Sequence, residues 1–178
     1  MNMKTKQLAL DAMFAAMVFA LGYFSIDLVG FKFTFEGLPI VLGAMLFGPV
    51  DGMLIAFVGI LITQLLKYGI TATTLLWILP HVVSGGFVGY FAMKKKFRLS
   101  YAEAVILLVI SQILVTLINS VSIAIDAKIY GYYYPTIITG MLATRLVITV
   151  IKGVAYGLVL PQLTRILSRQ LHFDGLRL

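Results

Sequence analysis

Long apolar runs separated by short polar breaks dominate the chain. A helix that crosses a bilayer needs roughly 20 apolar residues. By that measure Leu8 to Leu28 is a first span. "YAEAVILLVISQILVTLINSVSIAI" (Tyr101 to Ile125) is another, and Thr136 to Leu167 is a longer one interrupted by Arg145 and Lys152. Between Leu38 and Phe91 there is room for three shorter spans, "GLPIVLGAMLFGP", "GMLIAFVGILITQLL" and "LLWILPHVVSGGFVGYFAM". Gly48-Pro49 followed by Asp51-Gly52 marks a tight turn between the first two of these. The short runs imply tilt, or backbone shielded by protein rather than lipid. The expected fold is an all-α integral membrane protein, a single six-helix bundle over residues 1–178.

Composition and charge sharpen that picture. The 178 residues are 61% hydrophobic and 12% charged, whereas a soluble domain is about half apolar and a quarter charged. The surplus apolar surface must face lipid. A net charge of +7 raises the question of nucleic acid, but the basic residues sit at the ends of apolar runs, so no nucleic-acid partner is expected. Six spans with a cytoplasmic N-terminus gather Lys4, Lys6, Lys94, Lys95, Lys96, Arg98, Arg165, Arg169 and Arg177 on one side, nine of the fourteen Lys and Arg. That bias predicts both termini in the cytoplasm. A five-span count breaks it.

Three features are candidates for function. In the first helix Ala12, Ala16 and Ala20 recur every four residues and form a small-residue stripe. It either packs inside this bundle or docks a separate membrane subunit. Asp11 beside it reads as solvated. Polar groups at membrane depth come second, because they are costly unless they face a cavity or a partner. Gln64 and Lys67 close the third span; Lys67 either snorkels to the headgroups or faces a ligand. Gln112 and Asn119 share one side of the fifth span. Arg145 and Lys152 share a face of the last, and the guanidinium of Arg145, which cannot be neutralised, is expected to face a polar cavity. Third are the aromatic residues, in "KIYGYYYP" (including Tyr133) and around Tyr68 and Trp77. Some suit an interfacial belt. Trp77 and His81, four apart in a helix starting near Thr74, share a face fit for a flat ligand.

Some chemistries are excluded. There is no cysteine, no "GxxxxGK[ST]" phosphate loop and no "HExxH", and His81 and His172 are 91 positions apart. His172 reads as part of a cytoplasmic tail. Neither an enzyme nor a metal or cofactor site is expected.

Taken together, the first-helix alanines, the basic ends and "FTFEGLPIVLGAMLFGPVDGMLIAFVGILITQLL", above all "LPIVLGAMLFGPVDG", resemble the substrate-binding S-component of energy-coupling-factor (ECF) vitamin transporters over essentially the whole chain. The resemblance implies a protein of the bacterial plasma membrane that binds a vitamin near the outer face, under the loops joining helices one and two and three and four. It further implies a transmembrane coupling subunit and two ATPase subunits as partners, with Ala12, Ala16 and Ala20 as the docking stripe and ATP hydrolysis left to those partners. The pocket set expected here is Gln64, Lys67, Tyr68, Thr73, Trp77, His81, Asn119, Tyr133 and Arg145. A flat head with a carboxylate tail suits that set, which points to folate first and to pantothenate or cobalamin as alternatives. The competing class is a self-contained secondary transporter, which the small size and the absence of a detectable repeat disfavour.

Overall fold

The structure is a computed structural model that describes residues 3–24, 26–28, 31–134, 136–139 and 142–170; His172 and Arg177 lie outside the described residues. The elements in order are α1 (Met3–Tyr23), β1 (Ile26–Leu28), β2 (Phe31–Phe33), α2 (Gly37–Phe47), α3 (Pro49–Tyr68), α4 (Thr74–Lys94), α5 (Tyr101–Ile129), α6 (Thr136–Thr139) and α7 (Leu142–Gln170). Five helices, α1, α3, α4, α5 and α7, are long and apolar enough to cross a membrane.

Two expectations need correction. The first span stops at Tyr23, and the chain then forms a two-stranded antiparallel hairpin in which Ile26 pairs with Phe33 and Leu28 with Phe31. "FKFTF" alternates phenylalanine with polar residues, which is the strand period rather than the helical one. The expected second span is only the 11 residues of α2, about 16 Å of helix against a hydrocarbon core of about 30 Å. It is shielded by protein: Gly37, Phe47 and every residue from Pro39 to Met45 are buried. The last span is described as α6 and α7, with residues 140 and 141 outside the described residues.

Side-chain contacts give the direction of each helix. Gln7 Nε2 donates to Asp51 Oδ1 at 2.9 Å, so the starts of α1 and α3 meet. Lys67 Nζ donates to the Gly22 carbonyl at 2.7 Å, so their ends meet as well. The two helices are therefore parallel, and the hairpin with α2 must return the chain along their length. Helix α4 runs back along α3: the ideal Cβ position on Gly85 falls 2.4 Å from the Gly52 carbonyl oxygen. Only glycine allows the two backbones that close. Helix α5 follows, tied to α4 by the buried Ser84–Ser111 hydroxyl pair at 2.7 Å. Helix α7 descends along α5, from Thr149 against Thr116 at 2.6 Å to Arg165 over the Tyr101 ring at 4.9 Å.

Asp11 is the other correction. It lies on the same face of α1 as the buried Phe14, Ala15 and Val18 and is itself 4% exposed. Its Oδ1 has no hydrogen-bond partner among the described residues, and its neighbour across the interface is Asp51. The helical period that buries Phe14 and Ala15 carries Asp11 in with them. Ala12, Ala16 and Ala20 stay exposed on the opposite side, so the stripe is not used for packing within this chain.

Candidate functional site

A cavity of about 540 Å³ opens where α1 and α3 end, α4 begins and α5 ends, inside the range of roughly 300–1,000 Å³ that small-molecule pockets occupy. Helix α3 contributes Thr63, Gln64, Lys67 and Tyr68 to its wall. The loop 69–73 follows, its turn set by Gly69 at φ +73°, where glycine is favoured. It brings in Thr71 and Thr73, and the first turns of α4 add Trp77 and His81. Asn119 and Asp126 come from α5, Tyr130 from just beyond it, and Thr34 and Glu36 from the segment entering α2.

The sequence itself shapes the upper wall. Pro80 cannot donate a backbone hydrogen bond, which leaves the carbonyl four residues earlier, on Leu76, without its helical partner. Ser122 Oγ donates to that carbonyl at 2.9 Å, so the proline in α4 creates an attachment point for α5. Four residues along α5, Asp126 accepts three more donors. Thr73 Oγ1 reaches its Oδ1 at 2.5 Å, Trp77 Nε1 lies 3.4 Å from the same oxygen, and the Tyr132 hydroxyl donates to Oδ2. The carboxylate thus fixes the loop before α4, the only tryptophan and the loop after α5. Tyr132 lies beyond the helix end, and this hydrogen bond pushes its phenol up from 10.0 to about 12, with burial and the carboxylate's charge adding to the effect.

The lower corner is built around Glu36. Thr34 Oγ1 donates to its Oε1 at 3.0 Å, and His81 Nε2 lies 3.5 Å from the same atom. Lys152 on α7 donates to the Thr34 carbonyl at 2.6 Å, anchoring the segment that carries the carboxylate. Near this corner the Tyr156 hydroxyl is buried with no partner among the described residues.

Of the nine pocket residues expected from the sequence, Gln64, Lys67, Tyr68, Thr73, Trp77, His81 and Asn119 line this one cavity. Tyr133 does not. It is exposed, with Lys128 Nζ 5.3 Å from its ring centre, and the neighbouring tyrosines 130 and 132 make the contacts instead. Arg145 also lies outside the lining. Helix α7 packs chiefly on α5, away from the α3–α4 wall. Seven residues of helix separate Arg145 from Lys152 by about 10 Å of depth, and Lys152 is the one whose ammonium reaches the segment entering α2. Lys67 does not snorkel outward; it ties the ends of α1 and α3 together at the cavity edge.

Asp126, Glu36 and Lys152 were not in the expected set. The signals were available: an aspartate at the very end of an otherwise apolar span, and a glutamate immediately before "GLPIVLGAMLFGP". Among the described residues no three His, Asp or Glu side chains group to hold a metal ion.

Comparison with known proteins agrees with this architecture. A crystal structure of FolT bound with folic acid superposes with a TM-score of 0.66 at 23% identity, covering 90% of this chain and 92% of that one. The S-component for biotin from an ECF-type ABC transporter gives 0.69 at 18% identity over 93% and 95%. The S component of a bacterial ECF transporter gives 0.64 at 21% over 95% and 99%. At these identities the likeness is one of fold. Among curated protein sequences none matches the chain. The family model for the substrate-specific component of ECF transporters matches residues 6–166, nearly the full length, and the chain belongs to that family.

Proposed function

We propose that this chain is the vitamin-binding subunit of an ECF importer in a bacterial plasma membrane, with folate as its ligand. It presents the ligand from the cavity at the ends of α1 and α3 to a coupling subunit served by two ATPases. Both termini lie at the cytoplasmic face in this reading. The positive-inside bias supports that side, and the hairpin with α2 makes the return crossing that α2 is too short to make alone.

One observation carries the reading. A single cavity gathers a flat indole, the amides of Gln64 and Asn119, and the ammonium of Lys67, beside the carboxylates of Glu36 and Asp126. Trp77 supplies a stacking surface, the amides match a heterocycle's polar edge, and Lys67 suits a carboxylate tail. Folate has all three complements, and FolT bound with folic acid is among the similar folds; the biotin S-component is as similar in shape, so the choice rests on the cavity. Pantothenate, a smaller hydroxylated anion, would call on Arg145 and Asn119, and of these only Asn119 lines the cavity. A cavity of about 540 Å³ suits a drug-sized ligand rather than a corrinoid.

The test is a titration of the purified chain with a panel of vitamins while the emission of its single tryptophan is followed. Folate is expected to quench strongly at sub-micromolar concentration, and an emission unchanged by every vitamin removes Trp77 from the binding site. The chain reconstituted alone is expected to bind without transporting; uptake driven by an ion gradient would instead identify a self-contained transporter.

A further inference from the structure

Glu36 occupies the N-cap position of α2, yet its side chain makes no capping hydrogen bond. It faces the cavity instead. Its Oε1 takes the Thr34 hydroxyl and lies beside His81, while Oε2 receives no hydrogen bond from a described residue. The wall opposite Oε2 is Gly22, where an ideal Cβ would fall 2.6 Å from that oxygen. Any other residue at that point of α1 crowds the carboxylate edge, and glycine leaves it open. The Glu36 and His81 side chains are 15% and 13% exposed. A carboxylate has about four lone-pair sites, and those that face a cavity are free to take donors from a ligand. The unused edge of Glu36 therefore calls for donors from the cavity side.

A single N–H would satisfy one oxygen and leave the other sites idle. Two parallel N–H groups on one edge of a ring match the fork of a carboxylate, and such paired bonds are both stronger and more directional. We propose that Glu36 selects the head of the ligand by accepting two adjacent N–H groups, the edge that a 2-aminopyrimidin-4-one ring presents with its ring N–H and 2-amino group, whether in a pterin or in a single ring. His81 Nε2 flanks the same carboxylate at 3.5 Å. Lys152 supports the same corner through the Thr34 carbonyl. This inference rests on the vitamin-binding reading above, and it adds which atoms of the ligand are recognised and by what.

The experiment measures the affinity of the purified full chain by calorimetry for folic acid, pterin, a monocyclic 2-aminopyrimidin-4-one (isocytosine) and lumazine, in which a carbonyl replaces the 2-amino group. In the wild type, pterin is expected to bind more tightly than lumazine. Glu36→Gln, which keeps the shape and replaces one acceptor by a donor, is expected to weaken pterin and folic acid roughly 10- to 100-fold and to leave lumazine within a few-fold. Glu36→Gln with Lys152→Met keeps the interior charge balanced and is expected to show the same loss, which decides the matter should the single variant fold poorly. A Glu36→Gln protein that binds pterin and folic acid as the wild type does overturns the inference and leaves the folate reading standing. Glu36-dependent binding of isocytosine without folic acid does the reverse. Wild-type binding confined to ligands without the paired N–H edge overturns both.

Discussion

Thr73 and Asp126 stand 53 residues apart in the chain and meet in a buried hydrogen bond of 2.5 Å. The bond joins the start of α4 to the end of α5 at the lip of the cavity, and Trp77 and Tyr132 converge on the same carboxylate. A buried carboxylate with three donors resists loss of any one of them, because what remains is a charged group short of partners. Thr73→Val is therefore expected to destabilise the protein by about 1–3 kcal/mol and Asp126→Ala by more. Thermal unfolding in detergent measures both. Asp126→Ala should also shift the tryptophan emission, since the indole N–H loses its acceptor; an unshifted spectrum argues against the Trp77–Asp126 contact.

Tyr132 gives the same network a pH signature. Its phenol is raised from 10.0 to about 12 by donating to Asp126. A raised phenol pKa means that the neutral form is the one favoured by folding, so the contribution is fully present below pH 10. It fades as pH climbs from there through about 12. Because Tyr132 is 48% exposed, the contribution is small. Subtracting the tyrosinate absorbance titration of Tyr132→Phe from that of the wild type isolates this one phenol. A midpoint near 12 is expected, and one at 10 rules the bond out.

The seven pocket residues read from the sequence share a physical logic. Gln64, Lys67, Thr73, His81 and Asn119 are polar groups at the ends or in the middle of apolar runs, and such groups must face a cavity or a partner; the periodicity of the helices then said which could share it. What periodicity does not carry is depth and partnership. It put Arg145 and Lys152 on one face but did not say which of them lies level with the segment entering α2. It gave no warning that Asp126 draws together Thr73, Trp77 and Tyr132, since these partners come from separate stretches of chain. The hairpin after α1 escapes this reading because Leu8 to Leu28 has the total length of a span, and the strand period becomes visible only beyond it, at "FKFTF". For Asp11, an acidic residue near a helix end suggests solvent, whereas the neighbouring Phe14 and Ala15 fix its face and bury it.

The contrast between Lys67 and Arg145 is open to direct comparison. Lys67 lines the cavity and Arg145 does not, although both are cations of an apolar segment. Lys67→Gln is expected to weaken binding of a carboxylate-bearing vitamin by roughly tenfold, the value of one charge-assisted hydrogen bond. Arg145→Gln is expected to leave it unchanged. Equal losses in the two variants would move the anion site toward α7.

Small residues lie in opposite settings on two faces of this bundle, packed against a backbone at Gly85 and exposed at Ala16, and added bulk separates them. At Gly85 a Cβ would stand 2.4 Å from the Gly52 carbonyl oxygen and 2.7 Å from its carbon. Those are backbone atoms of α3, which cannot swing aside as a side chain does. Gly85→Ala must push α4 from α3 and is expected to cost about 1–3 kcal/mol, seen as a lower melting temperature of the isolated chain. Ala16, like Ala12 and Ala20, is exposed on the outer face of α1, where added carbon points away from the buried face that holds Phe14, Ala15 and Val18. Ala16→Leu is therefore expected to keep the wild-type melting temperature and vitamin affinity. In this reading a coupling subunit approaches closely over the same stripe, so the variant should fail to co-purify with that subunit and its ATPases and should lose uptake. Normal assembly by Ala16→Leu would place the docking face elsewhere on the bundle, and loss of vitamin binding would mean that α1 transmits the added bulk to the cavity through Gly22.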